Sequence, residues 1–282
     1  MTLKKIAWLV DSSAYMSNTL KDHPDVYVLP LNIHFGIEQF VDGIDLTPDQ
    51  LYDRIRNGTE SAKTSQPSAG EFAAVYEKLS KEYDSIIAIH VSKILSGTLS
   101  SSISGAQIAQ VQVEFIDSLS LSAGITGLVE KGLQLQEKGQ SYKEIAVELR
   151  EMTSKFRNYI LIGNLTQLYK GGRLSSAQFY LGSLLKIKPI IQITQQGELK
   201  ELDKVRSHKK AIQYLINKAV ESADKEGLKH VYIMHANAEQ QANDLKDAIL
   251  QQAPSLQFTI GEISTSLAVH AGEDTVALLW YL

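Results

Sequence analysis

The stretch SIIAIHVSKILSGTLS, residues 85–100, shows the alternation that decides the fold. Its first seven residues are mostly apolar and rich in isoleucine, which is typical of a strand buried in a parallel sheet. A turn containing glycine follows, and then a helical segment. Similar short runs at residues 6–10, 26–33 and 113–116 alternate with longer helical stretches. The first half of the chain is therefore predicted to be an α/β unit with a mostly parallel sheet flanked by helices.

Three helix starts are marked by capping boxes, at Thr47, Ser68 and Ser141. In each box the hydroxyl accepts from a free backbone N–H, while the Glu or Gln three residues later binds the N–H of the capping residue. Pro48 occupies the first helical position, where its missing N–H is not needed. These signals are local, so they predict the helix starts without knowledge of the rest of the fold.

The second half contains a hairpin, because runs at residues 187–194 and 198–205 flank the turn Gln195-Gln196-Gly197. It is therefore predicted to be a smaller α/β domain with antiparallel strands. We expect two domains, at residues 1–158 and 159–282. The remaining predicted elements are helices at residues 176–185, 209–223 and after Asn237, and strands at residues 159–162, 229–235, 258–263 and 275–282.

The composition excludes several classes of protein. The chain has 282 residues, 44% hydrophobic and 21% charged, with a formal net charge of −4, so neither disorder nor a polyanion-binding surface is indicated. It contains no cysteine, which excludes disulfides, thiolate metal sites and cysteine catalysis. No apolar run approaches the roughly 20 residues that span a bilayer. We expect a soluble, cytoplasmic protein with no nucleic acid partner and no stable membrane insertion.

Common catalytic and cofactor motifs are absent from the sequence. It has no G-x-x-x-x-G-K-[ST] phosphate loop, no G-x-G-x-x-G after the first strand and no G-x-S-x-G nucleophile elbow. The histidines do not have the spacing of metal ligands. We therefore expect neither a cofactor nor a metal.

Two hydroxyl-rich loops are candidates for holding an anion. Thr64-Ser65-Gln66-Pro67-Ser68 leads into a capped helix, so free N–H groups and the positive end of the helix dipole lie beside it. Leu95-Ser96-Gly97-Thr98 places Ser96 at a second helix N-terminus, after a parallel strand. The two loops can converge on one carboxylate or phosphate. In the alternative interpretation, Thr64 is a solvated loop residue and Ser96 is only a helix cap.

Two more segments carry candidate polar residues. Gly171 and Gly172 predict a sharp turn that presents Arg173, whose guanidinium suits a carboxylate or phosphate; the alternative is a surface arginine. His270 follows an apolar stretch, where a histidine is more often a hydrogen-bonded core residue than a functional one.

A basic cluster is a candidate docking surface for an acidic partner. Lys209 and Lys210 fall in the first turn of a helix capped by Ser207, the end at which cations are disfavoured. A solvated loop is the alternative. The cluster consists of Lys200, Lys204, Arg206, His208, Lys209 and Lys210.

Six short pieces occur together in one order along residues 3–282. They are Asp11-Ser12-Ser13, Thr64-Ser65-Gln66-Pro67-Ser68, Leu95-Ser96-Gly97-Thr98, Asp117-Ser118, Gly171-Gly172-Arg173-Leu174-Ser175, and His270 with Gly272. In this order they resemble the DegV family, bacterial two-domain α/β proteins that bind fatty acids. The sequence departs from the family pattern at Glu273 and Asp274, where a Pro-Gly pair is usual, and at Leu99, where an aromatic residue is common.

The resemblance implies a non-catalytic carrier of a long-chain fatty acid such as palmitate or oleate. The carboxylate would lie between the domains and the tail in the N-terminal domain. Thr64 and Ser96 would bind the carboxylate directly, Arg173 and His270 would complete the polar network, and Ser65 would add a backbone or side-chain donor. The protein would then act in lipid transport or fatty acid metabolism. Glu273 and Asp274 are expected to disturb the loop after His270, and their charges would repel a carboxylate.

The resemblance also implies a partner. Some family members present the carboxylate to a separate, dihydroxyacetone-kinase-like fatty acid kinase. The basic residues Arg206, Lys209 and Lys210 are the candidate docking site for such a kinase.

The free energy of binding such a ligand should come mainly from its tail. Burial of about fifteen methylene groups at about 0.8 kcal/mol each contributes roughly 12 kcal/mol before ordering costs, against about 1 kcal/mol per hydrogen bond at the head. The helix near residues 121–135 is a candidate wall of the tail tunnel, with ordinary core packing as the alternative. The wall residues would be Leu121, Ile125, Leu128 and Leu135, with Gly124 and Gly132 beside them.

Two other functions fit parts of the pattern. Ser96 as a nucleophile with His270 as its base would make a serine esterase or acyl transferase, although no orienting Asp is evident. A polar pocket without a tail tunnel would instead make a regulatory module for a small anion or a sugar phosphate.

Overall fold

A computed structural model describes residues 5–58, 61–173, 188–205 and 207–282. It confirms the α/β class, with a parallel four-stranded sheet, a mixed six-stranded sheet and a small antiparallel sheet. The helix predicted at residues 176–185, the motif residues Leu174 and Ser175, and Arg206 lie outside the described residues.

The four-stranded sheet has the order β2-β1-β6-β7, and all its pairs are parallel. Its strands are β1 Ile6–Asp11, β2 Val26–Leu29, β6 Ser85–His90 and β7 Glu114–Asp117. Both central strands, β1 and β6, are buried along their whole length. Helices therefore cover both faces of the sheet, as the continuous apolar runs predict.

A small antiparallel sheet of order β4-β3-β5 lies beside the first and corrects two predictions. It consists of β3 Asn32–Phe35, β4 Glu38–Val41 and β5 Lys63–Ser65. The single strand predicted at residues 26–33 is wrong, because Pro30 has no N–H to donate and the Leu31 N–H binds Ser12 instead of a strand partner. The segment around Thr64, expected to be a loop, is a short strand.

The helices of this half begin where the capping boxes predict. Both reciprocal hydrogen bonds form at Thr47, Ser68 and Ser141. The helices are α1 Asn18–Lys21, α2 Pro48–Asn57, α3 Ala69–Leu79, α4 Thr98–Ala109, α5 Ala123–Glu137 and α6 Tyr142–Met152.

The six-stranded sheet has the order β10-β9-β8-β13-β11-β12 and is antiparallel except for the β11–β12 pair. The predicted hairpin is confirmed as β9 and β10, and β13 lies in the middle of the sheet. The strands are β8 Phe156–Leu161, β9 Lys188–Ile193, β10 Leu199–Val205, β11 His230–Ala236, β12 Gln257–Glu262 and β13 Thr275–Tyr281; the helices are α7 Leu165–Lys170, α8 His208–Glu226, α9 Glu239–Leu250 and α10 Thr265–Ala271. Residue 158 lies inside β8, and the division into domains 1–158 and 159–282 stays a prediction.

The face of α5 that was expected to line a tail tunnel packs in the core of the parallel sheet. Ile125, Leu128 and Leu135 belong to the hydrophobic cluster that contains Trp8. A Cβ atom on Gly132 would lie 2.2 Å from the Trp8 ring. The lack of a side chain at Gly132 therefore leaves room for the buried indole ring of Trp8. The prediction that Ile125, Leu128 and Leu135 line a tail tunnel is wrong.

Candidate functional site

An apolar cavity lies where loops at the carboxyl end of the parallel sheet meet one face of the six-stranded sheet. It contains about 890 Å³ of empty space, counted together with its open side. Most of its apolar residues belong to the second half of the chain, which does not support the expectation that a tail lies within the N-terminal domain. The apolar lining residues are Leu31, Val91, Leu95 and Leu121 from the first half, and Ile160, Ile162, Leu168, Leu199, Met234, Ile263, Leu267, Ala271, Ala277 and Leu279 from the second.

Thr64 and His270 form a polar pair in this cavity, although they lie on distant elements of the chain, β5 and α10. Thr64 Oγ1 and His270 Nε2 are 2.8 Å apart. Burial, together with the nearby charge of Arg173, lowers the pKa of His270 to about 4, so the ring is neutral near pH 7. Its Nδ1 is buried without a hydrogen-bond partner among the described residues. An unpartnered acceptor costs less than an unpartnered donor, which assigns the proton to Nε2 and leaves the Thr64 hydroxyl hydrogen free for a ligand.

The close approach of His270 to the turn after α7 requires a glycine at position 171. A Cβ atom there would lie 2.1 Å from His270 Nδ1. The next residue, Gly172, has φ +74°, a left-handed conformation that glycine adopts without strain. The two glycines therefore have separate roles, one steric and one conformational, in the turn that presents Arg173.

Arg173 is half-buried in the cavity wall and has no acidic partner among the described residues. Its Nε donates to Leu95 O at 3.1 Å and its Nη1 donates to Gly171 O at 2.6 Å. Burial lowers its pKa from the ordinary value, but a guanidinium stays charged in proteins. In the described part of the chain, no carboxylate compensates this positive charge in the cavity, which favours an anionic ligand.

Ser96 lines the cavity at the start of α4, as predicted, and its Oγ accepts from the backbone N–H of Thr98, the first residue of that helix, at 3.3 Å. The N-cap position is Gly97, and Ser96 Oγ lies 2.8 Å from Thr98 Oγ1. The two hydroxyl-rich segments do converge, because Thr64 and Ser96 both line the cavity. They meet where a Cβ atom on Gly97 would lie 2.8 Å from the Gln66 side-chain nitrogen.

Ser65 does not bring its hydroxyl to the cavity. It lies 2.8 Å from His34 Nε2, on the face of β5 opposite to Thr64, because successive side chains of a strand point to opposite faces. The side-chain contact expected of Ser65 is therefore not made, and a backbone contact stays a prediction.

The two acids after Gly272 are turned away from the cavity. Glu273 accepts from Asn237 at 2.9 Å and lies 3.7 Å from Arg56, and the Asp274 backbone N–H donates to Ala236 O. Neither lines the cavity. The expected repulsion of a carboxylate by these two residues is therefore not supported.

Asp42 holds the start of α10 in place and was missed by the sequence reasoning. Its carboxylate accepts from the Thr265 hydroxyl, from the Ser266 backbone N–H at 3.0 Å and from the Ser12 hydroxyl. Asp42 is buried, and an acid at a helix N-terminus is favoured by the dipole. It connects α10, which carries His270, to the loop after β1.

Asp11 has a structural role at the carboxyl end of β1. Although burial raises its pKa, hydrogen bonds from His90 and Ser13 hold the pKa of Asp11 below its ordinary value. It also accepts from the Val91 N–H at 2.9 Å. Because Ser13 and Val91 line the cavity, this buried carboxylate fixes two of its loops.

Ser122 is another cavity residue that the sequence reasoning missed. It occupies the N-cap position of α5 but makes no capping bond. The sequence does indicate that Ser122 does not start a capping box, because the third residue of this helix is Ile125, whereas the three capping boxes have Glu or Gln at that position.

The geometry does not support a serine nucleophile. Ser96 bonds Thr98 and His270 bonds Thr64, so the hydrogen bond that would activate a serine is not formed. His270 Nδ1 has no carboxylate to orient it within the described ranges, and its low pKa makes it a weak base. In the part of the chain that the structure describes, no group of acids and histidines is arranged to hold a metal, and no helix is long and apolar enough to cross a membrane.

The fold and the cavity define an α/β protein with an apolar chamber, which carries an arginine that has no acidic partner among the described residues. The family model described as "Uncharacterised protein, DegV family" matches residues 5–282. The chain is 33% identical over 281 residues to Protein DegV of Bacillus subtilis strain 168, covering 98% of each chain. The chain therefore belongs to the DegV family.

Solved structures of bacterial relatives are similar over the whole chain. A DegV family protein from Thermus thermophilus, described as binding fatty acid, is 28% identical with a TM-score of 0.89, over 99% of this chain and 100% of that one. DegV from Bacillus subtilis, described as a fatty acid binding protein, is 31% identical with a TM-score of 0.88, over 99% of each chain.

Proposed function

We propose that the protein binds one long-chain fatty acid, such as palmitate or oleate, with its tail in the apolar cavity and its carboxylate beside Arg173. The observation that carries the proposal is the half-buried guanidinium without an acidic partner among the described residues, set in a mostly apolar chamber. An anion with a long apolar tail suits both features, because its charge can pair with the guanidinium and its tail can fill the apolar space. The two fatty-acid-binding relatives support the same ligand class.

The head group is held by a small number of polar side chains. Thr64 donates its free hydroxyl hydrogen, Ser96 lies at the N-terminus of α4, and Arg173 supplies the charge. His270 acts through Thr64, which its Nε2–H orients. We propose that the protein binds without catalysis, which is supported by the separate partners of Ser96 and His270. We expect it to act in the cytoplasm, as a carrier in lipid transport or fatty acid metabolism.

Native mass spectrometry of protein purified from a bacterial host tests the ligand class. The expected result is a bound mass equal to a C16 or C18 fatty acid, released by lipid extraction. Delipidated protein should be stabilised against heat by palmitate or oleate. Protein that carries no lipid and is not stabilised by either acid would contradict the proposal.

Variants of Arg173 test the role of the charge. Arg173→Met should weaken palmitate binding by about tenfold to a hundredfold, because a hydrogen bond to a charged group contributes about 1.5–3 kcal/mol. Binding of 1-hexadecanol, which has the same tail and no charge, should change little. The matched control is Arg56→Met, which removes an exposed arginine outside the cavity. Equal losses for the acid and the alcohol would show that Arg173 only shapes the cavity.

A kinase partner is the further part of this proposal. A depression that shares Leu95, Ser96 and Arg173 with the cavity is also lined by Lys93 and Lys200, so the carboxylate end is the one a partner reaches. A dihydroxyacetone-kinase-like enzyme would transfer the γ-phosphoryl group of ATP to a carboxylate oxygen, leaving ADP and an acyl phosphate.

The docking surface for such a kinase would include Lys209 and Lys210. Both are exposed and have no ion-pair partner in the described part of the chain. By contrast, Lys200 is paired with Glu198, and Lys204 is paired with Glu201. Replacing both Lys209 and Lys210 by Glu should slow phosphorylation of bound palmitate about tenfold without changing palmitate affinity. Unchanged phosphorylation would exclude this surface.

A further inference from the structure

Ser122 differs from the other hydroxyl side chains that line the cavity. Its side chain is 1% exposed, and its Oγ has no hydrogen-bond partner among the described residues. A buried hydroxyl without a partner is disfavoured and calls for an explanation. The other lining hydroxyls have protein partners: Ser13 with Asp11, Thr64 with His270, Ser96 with Thr98, Ser266 with Ser264, and Thr275 with the Ala271 carbonyl.

The backbone of Ser122 is held in an unfavourable conformation. Its φ is 51° and its ψ is −128°, a region that residues other than glycine rarely adopt. The conformation is fixed on both sides, because the Ser122 N–H donates to Ser13 O at 2.9 Å and its carbonyl accepts from the Ile125 N–H at 3.0 Å. In this conformation the hydroxyl does not cap the helix, unlike the serines before α3, α6 and α8.

The position of Ser122 suits a negatively charged oxygen. It precedes the first residue of α5, a helix of 15 residues, whose N-terminal dipole favours anions. The loops that carry Ser96 and Ser122 follow adjacent parallel strands, β6 and β7, and are joined by a hydrogen bond of 2.9 Å from Ser92 N–H to Ser120 O. Both therefore lie at the carboxyl edge of the sheet, where α/β proteins bind ligands.

We propose that Ser122 is a further carboxylate-binding residue, whose Oγ–H donates a hydrogen bond to a carboxylate oxygen of the bound fatty acid. The assignment rests on the proposed function. The carboxylate of the ligand is then the hydrogen-bond acceptor that the Ser122 hydroxyl lacks among the described residues. The strained backbone of Ser122 is retained because it leaves this hydroxyl available for binding.

Two substitutions separate the hydroxyl from the backbone. Ser122→Ala removes the hydroxyl and keeps the strain, whereas Ser122→Gly removes both. Both variants should bind palmitate about tenfold more weakly than wild type, and Ser122→Gly should unfold at a higher temperature than wild type when delipidated. Ser118→Ala is the control, since Ser118 is buried in the same loop, has a partner in Ser120 and does not line the cavity; its palmitate affinity should stay within about twofold of wild type.

The ¹³C NMR signal of the ligand's carboxyl carbon tests whether Ser122 contacts the head group. With [1-¹³C]palmitate, the carboxyl resonance of the bound ligand should shift in Ser122→Gly, and the pKa of the ligand carboxyl should rise, because a donor to the charged form is lost. An unchanged affinity, or a weaker affinity with an unchanged carboxyl resonance, would overturn the assignment while wild-type binding still supports the proposed function. Wild-type protein that binds no fatty acid would refute the proposed function itself, and this assignment with it.

Discussion

Replacing Gly171 by alanine should disturb the cavity through His270 alone. Gly171 has φ −72° and ψ −6°, a right-handed conformation that alanine adopts without strain. The backbone effect by itself would stabilise the protein by about 0.4–1 kcal/mol, through the lower entropy of the unfolded chain. The added methyl group, however, would lie 2.1 Å from His270 Nδ1 and 2.8 Å from its Cε1.

The size of the effect follows from these distances. Ordinary contact begins at 3.4 Å, so the imidazole must move by more than about 1 Å. Overpacking of this kind costs about 1–3 kcal/mol, and loss of the bond to Thr64 adds about 1 kcal/mol. After subtraction of the backbone gain, we expect a net destabilisation of about 2 kcal/mol, or about 5 °C in Tm for a chain of this length. Palmitate affinity should fall about tenfold, because Thr64 loses the donor that orients it.

Urea denaturation, calorimetric titration with palmitate and the ¹⁵N signals of the His270 ring measure these effects. Gly172→Ala is the matched control: it has no atom within 4 Å of the added Cβ but has φ +74°, so it should cost about 1–2 kcal/mol from backbone strain and leave the His270 signals unchanged.

The decisive measurement is a double-mutant cycle with His270→Ala. Without the ring, Gly171→Ala should be neutral or slightly stabilising. If Gly171→Ala destabilises the His270→Ala protein as much as wild type, the steric explanation is wrong.

Three further outcomes are expected. Burial lowers the pKa of His270 to about 4, so between about pH 6.5 and pH 4 the unfolded chain binds more protons at this residue. From pH 6.5 to about pH 5, His270 should therefore lower the unfolding free energy of the delipidated protein by about 2 kcal/mol. Burial also lowers the pKa of His230 and His235, so in urea titrations His270→Gln should make the pH slope shallower by about this amount, and an unchanged slope would contradict the assignment to His270. Gly132→Ala, whose methyl would meet the Trp8 ring at 2.2 Å, should destabilise by about 1–3 kcal/mol without changing palmitate affinity, and weaker binding would restore α5 as a tunnel wall. Asp42→Ala removes the acceptor of the Thr265 hydroxyl and of a helix N–H, so it should destabilise by about 3 kcal/mol; a change of less than about 0.5 kcal/mol would contradict its structural role.

The parts of the fold that depend on neighbouring residues could be predicted from the sequence. The capping boxes at Thr47, Ser68 and Ser141 involve residues three apart, and all three form. The strand β5 could not be predicted in this way, because its residues pair with β3, about thirty positions earlier in the chain. The helical periodicity of α5 correctly indicated a buried face, but periodicity does not show what covers that face. For that reason the assignment of Ile125, Leu128 and Leu135 to a tunnel wall was wrong, whereas Leu121 does line the cavity.

The candidate site shows the same limit. Thr64, Ser96, Arg173 and His270 were selected because ordered short motifs carry them, and all four line the cavity. The bond between Thr64 and His270 spans 206 positions in sequence, and no local pattern predicts it. The side-chain contact expected of Ser65 is not made because the segment is a strand, in which neighbouring side chains point to opposite faces.

The central place of β13 in the six-stranded sheet has a consequence for biosynthesis. Its neighbour β8 ends at Leu161, and residues 162–274 are made before β13 begins. At a translation rate of about 5–20 residues per second, β8 waits roughly 6 to 23 seconds on the ribosome for its partner. During that time the parallel sheet, which ends at Asp117, can fold, whereas Ala277 and Leu279 of the cavity wall do not yet exist. The nascent chain therefore completes its ligand chamber last, and we expect ribosome-bound chains that stop before Thr275 to engage chaperones through the unpaired edge of β8.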